Sequence, residues 1–265
     1  MRIATWNVNS VLARLPRLVE WLGVVEPDVL CLQELKTAQF PVDAVADLGY
    51  EVATHSTGRW NGVAILSRVG IADERPGLLD EPGYLPEDAM LEATEPRSLG
   101  ATCGGVRIWS VYVPNGREPS HPHYKYKLQW LAALQATVAD ELPSHERLAV
   151  LGDFNIAPSD ADVWNPALFV GSTHVTPPER EALAGLRSLG LIDVVPRAMK
   201  YDTPYTYWDY RAGMFHKNEG MRIDLVYASS PVAAAVRDAY VDRDARKGKL
   251  PSDHAPVLVD LEWPG

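Results

Sequence analysis

Short apolar runs recur along the chain at 2–6, 29–33, 62–67, 106–113, 148–151, 222–227 and 255–261. They are rich in β-branched residues, and turn residues bound each one, so each is predicted to be a β-strand. A second period interrupts them. Between 12 and 24, Leu15, Leu18, Val19 and Leu22 fall at helical spacing. The same holds for Leu128, Leu131, Leu134 and Val138 between 125 and 141, and for Leu183 and Leu186 between 178 and 189. Strands outnumber helices, and many are separated only by hairpin-length or loop segments. The pattern therefore predicts a layered, mixed α/β fold rather than a regular βαβ alternation.

Composition narrows this. Of 265 residues, 46% are hydrophobic and 23% charged, a globular balance that excludes a disordered chain. No repeat, low-complexity tract or linker interrupts the chain, so a single domain over 1–265 is expected. The 21 prolines and 19 glycines imply many structured loops, where sites usually sit. No apolar run approaches the roughly 18 to 20 residues that cross a bilayer. The N-terminus, MRIATWNVNS, lacks an apolar leader core and reads as a strand. Cys31 and Cys103 are the only cysteines, and Cys31 lies in an apolar run, so a reduced, cytoplasmic protein is expected rather than a disulfide framework or a zinc site.

Charge sets a condition on function. Lys plus Arg total 25 and Asp plus Glu total 35, giving −10. Proteins that grip nucleic acid electrostatically are usually basic. Either nucleic acid is not the partner, or a local basic surface sits on an acidic body. A carboxylate metal site would itself add acidic residues.

The polar residues at strand ends carry the chemistry. The 2–6 run ends in Asn7-Val8-Asn9, the 29–33 run in Glu34, and the 148–151 run in Gly152-Asp153-Phe154-Asn155. Asp224 lies in the 222–227 run, and Ser252-Asp253-His254 precedes the 255–261 run. Singly, each is an ordinary turn or solvated residue; five such ends on strands that share a core are a site. Hard divalent cations such as Mg²⁺ bind carboxylate and amide oxygens, which makes Glu34 and Asp153 anchors and Asn7 and Asn155 oxygen donors. The set holds no cysteine or multi-histidine cluster, against zinc. Asp224 can hold the His254 imidazole as a buried acid does in a catalytic triad. There is no G-x-S-x-G and no Walker loop, so metal-assisted attack of water on a phosphodiester fits best.

The segment Tyr205-Thr206-Tyr207-Trp208-Asp209-Tyr210-Arg211 places aromatics beside a cation, which suits stacking on bases or sugars next to phosphates; the alternative is a core strand with alternating aromatics, and that reading is favoured for Trp208 taken alone. Among the basic residues, Arg117, Lys125 and Lys127 follow closely on the end of the strand at Tyr112 and are the favoured phosphate contacts; Arg211 and Arg222 are further candidates.

Together these residues resemble the exonuclease III family of abasic-site endonucleases, within the endonuclease/exonuclease/phosphatase superfamily. The resemblance rests on Trp6-Asn7-Val8-Asn9, Leu32-Gln33-Glu34, Tyr112-Val113-Pro114-Asn115-Gly116, Gly152 to Pro158, Pro178-Glu179-Arg180-Glu181, Trp208-Asp209-Tyr210-Arg211, Arg222-Ile223-Asp224-Leu225 and Ser252-Asp253-His254. These run in the family's order over nearly the whole chain. It implies a DNase I-like α/β fold, a four-layered sandwich of two packed mixed β-sheets flanked by helices. It implies that Glu34 binds the metal with Asn7 and Asp253 assisting, and that Asp153 and Asn155 act on the attacking water and the phosphate. His254, held by Asp224, and Tyr112 would contact the scissile phosphate. Tyr207, Met221 and Ile223 would line a pocket for a flipped-out abasic sugar, with Arg211, Arg117, Lys125 and Trp208 as further substrate contacts. The implied activity is Mg²⁺-dependent (Mn²⁺ as a substitute) incision 5′ to an abasic site in duplex DNA, with 3′→5′ exonuclease and 3′-end cleaning, by a monomer. The alternatives are a same-fold phosphoesterase acting on RNA or another phosphoester, and a non-catalytic DNA-binding relative.

Overall fold

The computed structural model describes residues 1–86 and 90–263. The described strands, in chain order, are β1 (Arg2–Asn7), β2 (Val29–Gln33), β3 (Glu51–His55), β4 (Val63–Ser67), β5 (Ala72–Pro76), β6 (Ser98–Cys103), β7 (Val106–Tyr112), β8 (Leu148–Asp153), β9 (Ile192–Asp193), β10 (Asp224–Ala228), β11 (Val236–Val241) and β12 (Val257–Leu261). They form two six-stranded sheets, ordered β11-β12-β1-β2-β4-β3 and β5-β6-β7-β8-β10-β9. Both are mixed. Each has one parallel pair at its centre, β1 with β2 and β7 with β8, and its other pairings are antiparallel. A helix crosses over each parallel pair: α1 (Val11–Val25) joins β1 to β2, and α2 (Pro122–Glu141) joins β7 to β8. A third long helix, α3 (Pro177–Ser188), packs beside α2.

Side-chain alternation along the central strands creates three cores. Ile3, Cys31, Ile108, Leu151, Val226 and Val257 point between the sheets. Their neighbours point outward: Ala4, Trp6, Leu30 and Leu32 onto Leu18, Trp21 and Leu22 of α1. Trp109, Val150 and Leu225 face Trp130, Leu134 and Val138 of α2 and Leu183 and Leu186 of α3. A residue on each strand face alternates sides, so two sheets buried on both faces give helix, sheet, sheet, helix. This is the four-layered α/β sandwich that the resemblance implies, and the layered, mixed fold that the apolar pattern predicts.

Polar residues enter the inter-sheet layer near one end. Gln33 exchanges hydrogen bonds with Thr5 at 3.0 and 3.2 Å and donates to Ser110 Oγ at 3.2 Å, with all three buried. Buried polar groups need partners, and here β1 and β2 supply partners for β7 of the opposite sheet. Gly152 marks the same end. A Cβ there would lie 1.9 Å from the Val111 carbonyl oxygen, so β8 can run this close to β7 only with glycine.

The segment 205–211 is not a named strand. Tyr207 makes isolated bridges to Met221 on one side and His254 on the other. Its neighbours extend the contact: Thr206 N–H donates to the Met221 carbonyl and Trp208 N–H to the Asp253 carbonyl. It is a tie between the two sheets at the end that Gln33 and Gly152 mark.

Candidate active site

Parallel pairs point both carboxyl ends the same way, and ligands gather where such ends meet a crevice. Asn7 closes β1, Glu34 follows β2, Tyr112 closes β7 and Asp153 closes β8. Asp224 opens β10 and is registered directly opposite Asp153. His254 lies three residues before β12. Packing the sheets brings all six together.

The Asn7 amide is the bridge. Its Nδ2 donates to Glu34 Oε1 and to Asp153 Oδ2, each at 2.9 Å. Tyr112 donates its hydroxyl to Glu34 Oε1 at 2.9 Å. Glu34 Oε2 is paired with Lys36 at 2.6 Å. Burial pushes the Glu34 carboxyl up, but Lys36 and the Asn7 amide outweigh it and hold the group below its usual value. Lys36 also donates to Asn9 Oδ1, and Asn9 donates to Asp253 Oδ1 at 3.0 Å. Asp253 thus reaches the centre through Asn9 and Lys36.

His254 Nδ1 donates to Asp224 Oδ2 at 2.8 Å, and its Nε2 faces Asp153 Oδ2 at 3.8 Å. Burial disfavours the imidazolium, yet Asp224 and Asp153 overcome this and raise His254 well above the ordinary histidine range. Asp153 moves up to about 7, by burial first and then by repulsion from Asp224 and Glu34, against the pull of His254. Asp153 Oδ1 accepts the Asn155 backbone N–H at 2.9 Å. The Asn155 side chain donates to the Val113 carbonyl and accepts from Asn115. Glu34 and Asn155 both have left-handed backbones, at φ 57 and 51. Such conformations concentrate at functional sites.

Donor chemistry suits a metal. Asp153, Asp224 and His254 place one ligand atom each within 4.8 Å of one another. Asp224 Oδ2 is engaged by His254 and its Oδ1 is wholly buried, whereas Glu34 and Asp153 converge on one amide and the Glu34 side chain keeps some exposure. The oxygens of Glu34 and Asp153 are therefore the better cradle for a hard cation.

Beside this cluster lies a cavity of about 270 Å³ lined by Trp164, Phe169, His174, Tyr207, Arg211 and Met221, among others. The Tyr207 ring packs on His254 with centroids 4.9 Å apart. Ile223 lies in the apolar cluster under Met221 rather than on the cavity wall. Arg211 is exposed and paired to Asp209 at 2.6 Å. Arg117 and Lys125 are exposed on the loop after β7 and on α2.

Besides Ile223, which was expected on the cavity wall, three expectations need correcting. Trp208 is buried; it stacks edge-on against Phe215 and lies under the Arg243 guanidinium, so it is a core residue that cannot stack on a base. Lys127 is fully buried and paired to Glu179 at 2.5 Å, so it cannot meet a phosphate. Arg222 is buried between Asp162 and Asp193, at 2.6 and 3.0 Å.

Sequence reasoning passed over Lys36, Thr206 and His174. Lys36 had a signal, a cation two residues after Glu34. Thr206 is wholly buried, and its hydroxyl accepts the backbone N–H of Ile223 and of Asp224, which seats the acid behind His254. His174, with a left-handed φ of 79, has its Nδ1 2.5 Å from the Asn155 carbonyl and walls the cavity. Nothing in the local sequence announces it.

Residues 4–254 match the model of the endonuclease/exonuclease/phosphatase family. The chain belongs to that family. Among solved structures it is similar to the 3′–5′ exonuclease NExo of Neisseria meningitidis, with 41% identity, a TM-score of 0.90, and 99% of this chain and 100% of the other covered. An AP endonuclease of Archaeoglobus fulgidus shares 32% identity at a TM-score of 0.89, with 99% of each chain covered. Exodeoxyribonuclease III of Haemophilus influenzae is 29% identical over 278 residues, 99% of this chain and 100% of that one. Within the family, this chain is of the exonuclease III branch. No helix among the described residues is long and apolar enough to cross a membrane.

Proposed function

We propose that this chain is a Mg²⁺-dependent DNA repair nuclease that incises duplex DNA 5′ to abasic sites and trims 3′ ends. The DNA repair nuclease is the reading that the family and the relatives carry: exodeoxyribonucleases, AP endonucleases and a 3′ phosphatase bound to a product DNA hairpin, the last 40% identical to this chain. One observation carries the chemistry: the Asn7 amide bridging Glu34 and Asp153, next to a His254–Asp224 pair.

Glu34 and Asp153, with the Asn7 amide between them, would hold Mg²⁺. When bound, the ion would polarise the scissile phosphate and ease deprotonation of water. The protein groups have distinct tasks. Asp153, moved up to about 7, is matched to accepting a proton from water near neutral pH. His254, kept charged by Asp224 and Asp153, offers a fixed positive charge to the phosphate as negative charge builds. Asn155 and the Tyr112 hydroxyl orient the phosphate oxygens. An abasic nucleotide is cheap to extrude because no base pair or stack holds it, and the cavity lined by Tyr207, Met221 and His174 would receive the sugar. Arg117, Lys125 and Arg211 are the exposed cations offered to the duplex. The chain would act as a monomer in the cytoplasm.

The test is incision of a labelled duplex carrying one abasic analogue, with Mg²⁺ and with EDTA, beside an undamaged duplex. Metal-dependent cutting 5′ to the lesion, far faster than loss of the control, is the expected result. A folded, metal-supplied protein that leaves the lesion intact but cleaves RNA or another phosphoester would overturn the substrate assignment.

A further inference from the structure

Lys127 and Glu179 sit behind the active site as a fully buried ion pair. Neither bonds to the side chain of Asn7, Glu34, Tyr112, Asp153, Asp224 or His254, and burying two charges is costly unless every polar atom is satisfied. Here each one is used. Lys127 Nζ donates to Glu179 Oε1 at 2.5 Å and to the Asn155 carbonyl at 2.7 Å, and its third N–H is shared between the Asn115 carbonyl at 3.2 Å and Thr173 Oγ1 at 3.3 Å. Glu179 Oε1 also accepts the Thr173 hydroxyl and the His174 backbone N–H. Its Oε2 accepts the Thr176 N–H and hydroxyl, closing a capping box at the start of α3.

The partners come from three different loops. Asn115 follows β7, Asn155 follows β8, and Thr173 and His174 precede α3. Each loop carries a group that faces the reaction. Asn155 donates its backbone N–H to Asp153 Oδ1, Asn115 donates to Asn155 Oδ1, and His174 walls the cavity. The geometry leaves little slack: a Cβ on Gly116 would meet Thr173 Oγ1 at 2.7 Å and Lys127 Cδ at 3.0 Å. Asn155 holds a left-handed backbone, and its carbonyl, fixed by Lys127 and by His174 Nδ1, is the atom that keeps it there.

We propose that Lys127 and Glu179 are positioning residues for catalysis, a buried clamp that sets Asn155 and His174 against the substrate. This rests on the nuclease reading above. It predicts that the clamp governs turnover rather than DNA binding, since neither residue can reach DNA.

Stability and turnover separate under the right substitutions. Lys127→Met leaves Glu179 as an unpaired buried charge, so it loses stability as well as activity. The paired variant Lys127→Met/Glu179→Gln removes both charges and regains thermal stability, but the bonds to the Asn155 and Asn115 carbonyls stay lost. Single-turnover incision by the paired variant is expected to fall by about 10- to 100-fold, the usual cost of losing a partner that orients a site residue. Its dissociation constant for the duplex, measured with EDTA present, is expected to match that of the unaltered chain. Recovery of both melting temperature and rate in the paired variant would show that the pair only holds the fold, and would overturn the proposal. So would a weakened dissociation constant at an unchanged rate. The unaltered chain serves as reference: if it does not cut the abasic duplex with Mg²⁺, the nuclease reading has failed, whereas cutting at full rate by the variant fails the clamp alone.

Discussion

Asp153 and Asp224 stand directly opposite one another in the antiparallel register of β8 and β10. Like charges in that arrangement repel. His254 lies between them, bonded to Asp224 and 3.8 Å from Asp153. The fold thus keeps a local instability where the chemistry needs it.

Asp153→Asn removes one of the opposed charges while preserving the shape of the side chain. Incision should drop by about 10²–10⁴-fold, the usual worth of a positioned proton acceptor. The melting temperature in EDTA should hold or rise, as commonly happens when a strained site is relaxed. Parallel calorimetry and single-turnover kinetics check both; near-normal cutting would remove Asp153 from its role.

Added Mg²⁺ should stabilise the chain by linkage, because an ion that binds only the folded site contributes RT ln(1 + [L]/Kd). The melting temperature should climb with Mg²⁺ concentration, and Glu34→Ala should flatten that climb. A slope that survives the substitution would place the ion elsewhere.

His123 gives a pH signature away from the site. Burial first, and then Arg97, lower its pKa to about 4. Its Nδ1 accepts the Gly116 N–H at 3.1 Å, a bond only the neutral ring can accept. The unfolded chain binds a proton near the ordinary value of about 6.5, so between that value and 4 it holds more protons than the native state. Stability should therefore fall as pH drops through this window. His123→Gln should shallow the decline in denaturant midpoint; an unchanged slope would assign the acid sensitivity to other groups.

Two glycines separate strain from collision. Gly190 has φ +91 with open space around it, so alanine there costs about 1 kcal/mol. Gly152→Ala drives a methyl into the Val111 carbonyl and should cost about 4 kcal/mol or more. Urea midpoints for both variants test the contrast.

His174 narrows the sugar cavity from a left-handed backbone that glycine adopts more readily. His174→Gly should enlarge the cavity and relieve the left-handed backbone, while the Asn155 carbonyl loses the imidazole and keeps only its bond to Lys127, so both activities should slow. The ratio of abasic-site incision to 3′-end trimming should then rise. A constant ratio on paired substrates would show that this wall does not select between them.

The central strands were legible because both their faces are buried, which yields unbroken apolar runs. The edge strands Glu51–His55 and Ala72–Pro76 were not, since exposed polar residues break any run there, and Ser98–Cys103, although buried inside its sheet, was missed because serine, glycine and threonine interrupt its apolar residues. The strand-end groups were readable for a related reason: Asn7, Glu34, Asp153 and His254 interrupt apolar sequence where solubility does not ask for them. Lys127 shows the limit. On an amphipathic helix, two residues from exposed Lys125, it has the look of a solvated cation. Only its meeting with Glu179, 52 residues away, gives it a buried role. Trp208 and Arg222 have the same history, defined by long-range partners that no local spacing encodes.

β1 and β12 are neighbours in one sheet, and Asn7 and His254 stand at their shared end. The centre therefore exists only once these two strands, some 250 residues apart, have paired. A chain cut between residues 154 and 253 keeps Glu34 and Asp153 but has no His254 imidazole to set against them. Cutting power thus depends on closure of that sheet, so a partly folded chain whose β1 and β12 have not met would leave DNA intact.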